Sequence, residues 1–284
     1  MNFFIILAKE NLPKFLVIIL LSIVSGIFSG LIIIFALNGI EDIVVGQNYS
    51  MYVLLIPITA IIIFISTRFA QLESAFLSEN IQEKLILKIS NNFRRAKLET
   101  IERKNLTDIY RQILNAQTIT NSITKYINMF QSIITIFILW VYIYIISVIM
   151  GLILLIFFFF VILVYELYQK LLEPIIVEQL THETEMYSQI SSILNGLKEL
   201  KLDPSKNDDL FNNYLKNEII ETKNLKSSML FSHVQYYLFI NTGFFVMLGI
   251  TGFILTSFFH PSIIMKVLTI IIFIWTPTLT IVDA

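Results

Sequence analysis

The chain has 284 residues, of which 56% are hydrophobic and only 14% are charged, against roughly a quarter charged in an ordinary soluble domain. This composition excludes a soluble globular protein, and the absence of cysteine excludes disulfides, thiol nucleophiles, iron–sulfur clusters and cysteine-based zinc sites. The formal net charge of −1 gives no indication of nucleic acid as a partner.

Long apolar runs without Asp, Glu, Lys or Arg mark the parts of the chain that are predicted to span a membrane. A helix needs about 20 apolar residues to cross a bilayer, and the run at 126–165 is long enough for two crossings. The first run is too long for the apolar region of a signal peptide, so it is interpreted as a retained span. The sequence predicts six spans, at about 15–40, 51–73, 126–147, 151–172, 232–257 and 263–282.

The basic residues lie almost entirely on one side of these spans. Two precede the first span, ten lie between Arg68 and Lys125, seven lie between Lys170 and Lys226, and Lys266 alone lies elsewhere. Lys and Arg resist translocation, so this distribution predicts cytoplasmic N- and C-termini and two cytoplasmic loops. We expect a multi-pass protein of the bacterial inner membrane.

The two basic loops are predicted to be long helical stems, at about 74–125 and 173–231. No glycine or proline occurs from Ile58 to Met150, so helix is expected to continue past the membrane surface. Apolar residues recur every three to five positions from Phe69 to Phe93, as one face of a helix requires. The predicted fold is an all-α membrane protein with long cytoplasmic helical extensions.

Each stem is predicted to end in a short, transverse, amphipathic tip. The first stem turns where polar residues interrupt the apolar pattern at 102–108. In the second stem, a break at Gly196 precedes the amphipathic segment 197–202, and Asp203 before Pro204 is a helix-start signal. A solvated helical bundle that binds nothing is the simpler alternative for such stems.

Six spans with two such stems resemble the transmembrane domain of ABC exporters. Three segments are similar to the subfamily that exports cyclic peptides of the microcin, syringomycin and pyoverdine type. These are Leu-Glu-x-Ile-Glu-x-x-x-Leu-Thr-x-Ile-Tyr at 98–110, Leu-Asn-Gly-Leu-Lys-Glu-Leu-Lys-Leu at 194–202 and Asp-Leu-Phe at 209–211. The resemblance covers essentially the whole chain, 1–284, although Thr276 stands where the subfamily usually has a glycine.

The resemblance implies that the two tips are coupling helices, at about 105–113 and 195–202, which dock on ABC nucleotide-binding domains. The residues expected to make this contact are Asn105, Leu106, Thr107, Asp108, Ile109, Tyr110, Gly196, Leu197, Lys198, Glu199 and Leu200. It further implies a second copy of the transmembrane domain, a peptide substrate, and ATP and Mg²⁺ bound by the partner domain and not by this chain.

The 284 residues contain no phosphate-binding loop of the form G-x-x-x-x-G-K-[ST]. The chain is therefore not expected to be an enzyme on its own. The nucleotide-binding domain is expected in trans or in a missing C-terminal half, so that the chain is a split subunit, a truncated product or an excised domain.

The sequence indicates no catalytic residue and no metal site. His182-Glu183 begins like the zinc-protease pattern H-E-x-x-H, but Met186 stands at the position of the second histidine. No ionisable residue lies deep in the predicted spans, which argues against an ion-coupled pump.

Some polar and aromatic residues in the spans are candidates for lining a transport cavity. Hydrogen bonds between helices and interfacial aromatic belts account for each of them singly. On the first span, Ser22, Gly26 and Gly30 form a small-x-x-x-small row, which predicts close contact with another helix. The candidate cavity residues are Asn38, Gln131, Thr135, Asn241 and Trp275.

The leading hypothesis is the membrane-spanning half of an ATP-driven exporter of cyclic or nonribosomal peptides, working as a dimer. The alternatives are a membrane scaffold or immunity-type protein without transport activity, an inactive exporter fragment and, more weakly, a channel.

Overall fold

The structure is a computed structural model that describes the backbone of residues 2–95 and 106–282, and the side chains from residue 12 onward apart from those at 93, 96–121, 195 and 283–284. In the described residues the secondary structure is helical throughout. The helices are α1 (Asn2–Val45), α2 (Ser50–Arg95), α3 (Leu106–Ile146), α4 (Val148–Asn195), α5 (Leu197–Leu202), α6 (Pro204–Asp209), α7 (Lys216–Gly249) and α8 (Pro261–Val282). A π-helical segment, Leu210–Leu215, joins α6 to α7, and a second one, Ile250–Ile254, follows α7 and is continued by the 3₁₀ turn Leu255–Ser257.

Within the described ranges, six helical segments are long and apolar enough to cross a membrane. Many of their large apolar side chains are exposed, among them Leu54, Phe159 and Phe253. So much exposed apolar surface is stable against lipid and not against water. The predicted all-α fold with six spans is confirmed. The segments are Leu12–Val45, Ser50–Asn92, Ser122–Ile146, Val148–Leu194, Pro204–Ser257 and Pro261–Val282.

Two helices are much longer than a bilayer is thick. α2 has 46 residues and α4 has 48, and at 1.5 Å per residue each is about 70 Å long, against a hydrocarbon core of about 30 Å. The predicted long helices are present, because α2 continues to Arg95 and α4 to Asn195, and the position of their ends in the cytoplasm stays a prediction.

The chain divides into two compact units, and the first comprises Met1–Leu85, Ala116–Phe157 and Phe244–Ala284. In this unit α1, α2 and α3 share a buried apolar cluster of Ile18, Leu77, Ile81 and Ile123. α8 contacts α1 and buries one apolar face, which includes Ile264, Val267, Ile270, Ile271 and Ile274.

The small residues of α1 allow α3 to approach closely. A β-carbon on Gly26 would lie 2.8 Å from the carbonyl oxygen of Gln131, and one on Gly30 would lie 2.7 Å from Cγ2 of Ile138. No side chain fits at these distances without movement of α3. The close helix contact predicted from the row of small residues is confirmed, and its partner is α3.

The second unit comprises Ile86–Asn115 and Phe158–Gly243. Here α4 packs along α7 through aromatic pairs: the rings of Tyr168 and Tyr236 stack with centroids 4.4 Å apart, and Phe160 lies 6.3 Å from Phe239. Further along the same helices the contacts become polar, and the two helices together form the second stem.

Candidate functional site

The second stem ends in the break that the sequence predicts. α4 stops at Asn195, Gly196 makes a turn, and the six residues of α5 follow. Asp203 then caps α6, because its carboxylate accepts hydrogen bonds from the Ser205 hydroxyl at 2.8 Å and from the Lys206 backbone N–H at 3.3 Å. The hydrogen bond from the Ser205 hydroxyl is the largest of the causes that lower the pKa of Asp203. The predicted helix start at Pro204 is confirmed.

The tip helix α5 leaves apolar side chains uncovered. Leu197 is 45% exposed and Leu202 is 85% exposed, whereas Leu200 is half-buried. Lys198 and Glu199 are exposed among them. Exposed leucines beside charged residues on a short helix are suited to insertion in a groove of a protein partner.

The first predicted tip lies only partly within the described residues. Residues 106–113 are the first turns of α3, which runs unbroken to Ile146, so they do not form the separate short helix that was expected. The physical reason is the absence of glycine and proline between Leu106 and Met150, which leaves nothing to end the helix. The other contacts expected of this tip fall outside the described parts of the chain and stay predictions. They concern Asn105 and the side chains of Leu106, Thr107, Asp108, Ile109 and Tyr110.

Two of the candidate cavity residues make hydrogen bonds between helices. Gln131 Nε2 on α3 donates to Ser25 Oγ on α1 at 2.8 Å, and that oxygen lies 2.6 Å from Thr67 Oγ1 on α2. The Thr135 hydroxyl donates to the carbonyl of Gly26 at 3.1 Å. A small polar network therefore joins α1, α2 and α3.

The other candidate cavity residues have different surroundings. Asn38 accepts a hydrogen bond of 2.5 Å from the Tyr142 hydroxyl. Trp275 stacks on Phe244 with ring centroids 4.3 Å apart. Asn241 is half-buried on α7, in the second unit. The lining of a transport cavity by these five residues stays a prediction, and four of them already have a partner inside the protein.

A cavity of about 370 Å³ lies between α4 and α7. Its lining includes Tyr168, Ser232, Gln235 and Tyr236, and the hydroxyl oxygens of the two tyrosines are buried without a hydrogen-bond partner among the described residues. Buried hydroxyl groups are nearly always hydrogen-bonded in proteins. The sequence does not reveal this cavity, because it depends on how α4 packs against α7.

A second hollow, of about 760 Å³, lies along α2 next to Ile32 of α1. Its walls are mainly apolar, with Thr67, Arg68 and Gln71 as the polar residues. The hollow is therefore suited to an acyl chain or an apolar side chain more than to a charged group.

The comparison with protein families decides what kind of membrane protein carries these features. The family model of the ABC transporter transmembrane region matches residues 15–202. The chain belongs to this family. The match covers about two thirds of the chain and extends from the first span through α5, and it implies an ABC nucleotide-binding domain as the partner. No curated protein matches the chain.

An ion pair joins α1 and α8 in this ABC transmembrane domain. It is formed by Lys266 on α8, the one basic residue outside the N-terminal segment and the two basic loops, and Glu41 on α1. The end of α1 and the start of α8 therefore meet at the same end of the first unit. The Glu41 carboxylate therefore neutralises Lys266, the one basic residue that does not follow the distribution of the others.

The second stem of this ABC transmembrane domain carries a polar cluster that the sequence does not reveal. His182 Nδ1 on α4 lies 2.8 Å from Glu218 Oε2 on α7, and one residue further along α4 Glu183 forms an ion pair with Lys226 at 2.8 Å. The hydrogen bond to Glu218 is the largest cause that raises the pKa of His182. The partners of His182 and Glu183 are 36 and 43 residues away in sequence, so only the packing of the stem brings them together.

Proposed function

We propose that this ABC transmembrane domain exports cyclic or nonribosomal peptides. The family match supports a transporter, and the similarity of the segments 98–110, 194–202 and 209–211 to the cyclic-peptide subfamily supports the substrate class. Two copies surround a central cavity, and ABC nucleotide-binding domains that are not among these 284 residues bind ATP and Mg²⁺ and drive the conformational change. The membrane is the bacterial inner membrane, with both termini in the cytoplasm.

The observation that carries the coupling part of the proposal is the position of α5. It follows directly on α4, whose 48 residues form an unbroken helix from Val148 to Asn195, and it exposes Leu197 and Leu202. A nucleotide-binding domain bound to α5 would move the end of α4 when it changes conformation. Because α4 is one continuous helix, this movement is transmitted to the span that α4 forms. ATP drives the switch because it binds more tightly to one of the two conformations than to the other.

The experiment that tests this function measures ATP hydrolysis by the chain reconstituted in lipid with its nucleotide-binding domain. A cyclic peptide of the substrate class is expected to stimulate the rate several-fold, and a linear peptide of the same composition is the control. The linear peptide is expected to act more weakly, because it loses more conformational entropy on binding. Equal rates with cyclic peptide, linear peptide and no peptide would contradict the proposed substrate class.

A further inference from the structure

Three potential metal ligands converge on the second stem, away from the exposed leucines of α5. They are His182 and Glu185 on α4 and Glu218 on α7. One ligand atom from each of them, an imidazole nitrogen or a carboxylate oxygen, lies within 4.8 Å of the other two. His182 and Glu185 are three residues apart, which places them on one face of α4.

The spacing of these atoms fits a single ion. Zinc binds nitrogen and oxygen ligands at about 2.0 to 2.2 Å, so two ligands of one ion lie about 3 to 4 Å apart. The three ligand atoms, all within 4.8 Å of one another, are already close to that spacing. The side chains of His182 and Glu218 are 28% and 18% exposed, and Glu185 is exposed. An ion can therefore enter from the solvent on the Glu185 side while protein covers most of the other two ligands.

We propose that His182, Glu185 and Glu218 form a binding site for a divalent transition-metal ion of the Zn²⁺ type. One imidazole and two carboxylates favour Zn²⁺, Co²⁺ or Ni²⁺ over Mg²⁺ and Ca²⁺, which prefer oxygen ligands only. Three protein ligands leave at least one coordination position to water. The site joins α4 to α7, so a bound ion links the two long helices of the second stem.

The charges around the cluster favour a dication over the simpler interpretation as an ion pair. A protonated His182 neutralises one carboxylate, yet Glu185, Glu218 and Glu221 all contribute to the negative potential at its ring. The nearby Lys226 is engaged by Glu183 at 2.8 Å. A divalent ion bound to neutral imidazole balances both ligating carboxylates, which a single proton does not.

The test is zinc binding by the full chain, purified in detergent with a tag that contains no histidine. We expect one zinc ion per chain by calorimetry, a higher thermal midpoint with ZnCl₂ than with MgCl₂, and weaker binding as the pH falls and the imidazole takes up a proton. Native cysteine is absent, so thiols contribute no background. Co²⁺ supplies an independent readout through its visible absorption.

The variants distinguish a specific zinc site from nonspecific binding of zinc elsewhere on the chain. His182→Ala and Glu218→Gln are expected to weaken zinc binding at least tenfold. Glu185→Gln is expected to do the same while leaving the His182–Glu218 pair in place, so its effect does not arise from loss of that pair. The control is His233→Ala, an exposed histidine on α7, which should bind zinc like the wild type. Equal zinc affinity in the wild type and the Glu185→Gln and His182→Ala variants would overturn the proposal, as would a wild type that prefers Mg²⁺.

Discussion

Gly26 shows how one missing side chain sets the packing of two spans. A β-carbon there would meet the Gln131 carbonyl oxygen at 2.8 Å and the Ile134 side chain at 2.9 Å. The backbone oxygen cannot rotate away, so the two helices must separate to admit a methyl group. Gly249 on α7 also has a helical backbone but has nothing within 4 Å of an added β-carbon.

The matched substitutions Gly26→Ala and Gly249→Ala should therefore differ in their effect on stability. Gly26→Ala is expected to destabilise the protein by about 1 to 3 kcal/mol, as overpacking does. Gly249→Ala is expected to be neutral or to stabilise by about 0.5 to 1 kcal/mol, because alanine restricts the unfolded helix segment more than glycine does. Thermal unfolding in detergent, followed by size exclusion, measures both. Equal midpoints for the two variants would show that α1 and α3 do not meet at Gly26.

His182 gives the second stem a pH-dependent contact. Its pKa lies above the ordinary value because Glu218 accepts its hydrogen bond, with Glu185 and Glu221 adding to the effect. A raised pKa in the folded state means that the contribution to stability is complete below about pH 6.5, the ordinary value for histidine. It is lost as the pH rises through the raised value.

The comparison of wild type with His182→Gln tests this dependence, in buffer that contains a chelator so that metal binding plays no part. The difference in thermal midpoint should be largest near pH 6 and should shrink toward pH 8.5. His233→Gln, at an exposed histidine of α7, is the control for replacing a histidine outside the pair. A difference that is constant over this range would contradict the protonated pair.

The residues of the polar network show where prediction from sequence ends. A glutamine in a span can line a cavity or form a hydrogen bond to a neighbouring helix, and its position in the sequence does not show which. Gln131 bonds to Ser25, 106 residues earlier, so only the packing of α1 on α3 identifies its partner. By contrast, the sequence was enough to predict a close helix contact at Ser22, Gly26 and Gly30, because small residues at every fourth position indicate such a contact whichever helix is the partner.

At the scale of elements, the sequence predicted the breaks that have a local chemical cause. Gly196 ends α4, and Asp203 with Pro204 starts α6, so both ends of α5 follow from residues within the break itself. In the first stem, residues 106–113 contain no glycine or proline, and the expected separate tip does not appear from 106 onward. The π-helical segments at Leu210–Leu215 and Ile250–Ile254 were not predicted, because no residue type specifies them.

The exposed leucines of α5 lead to a prediction about docking on the nucleotide-binding domain. Burial of one leucine side chain is worth roughly 1.5 to 3 kcal/mol, so Leu197→Ala or Leu202→Ala should weaken capture of that domain by about one to two powers of ten. Leu180→Ala is the matched control, because Leu180 is 47% exposed on the same stem but lies about 24 Å along α4 from the tip. A pull-down with the three single variants and the Leu197→Ala, Leu202→Ala double variant, each checked for folding by size exclusion, measures the effect. Capture that is unchanged in the Leu197→Ala, Leu202→Ala double variant would remove the docking assignment.

At the scale of the whole molecule, the spans were predictable because uninterrupted apolar length alone identifies them. Each of the six predicted spans lies, to within one residue, in one of the six apolar helical segments of the described chain, and where the second, fourth and fifth spans continue into a stem the boundary differs by 19 to 28 residues. The division into two units was not predictable, since it depends on which helices pack together: α1 and α8 with most of α2 and α3 in one, and most of α4 and α7 in the other. Apolar composition places a helix in the membrane but does not select its neighbours.

The orientation of the six spans remains a prediction from the basic residues, and the native absence of cysteine makes it testable. Single cysteines at Gln47 and Val148 are expected to react with an impermeant thiol reagent on intact cells, whereas cysteines at Asn91 and Asn207 should react only after lysis. All four positions are exposed, so a lack of labelling reports the membrane barrier and not burial in the protein. The physical reason is the cost of moving Lys and Arg across the bilayer, and the ion pair between Lys266 and Glu41 accounts for the one exception. Labelling at Asn91 or Asn207 in intact cells would reverse the topology and would place α5 on the side where ATP is absent.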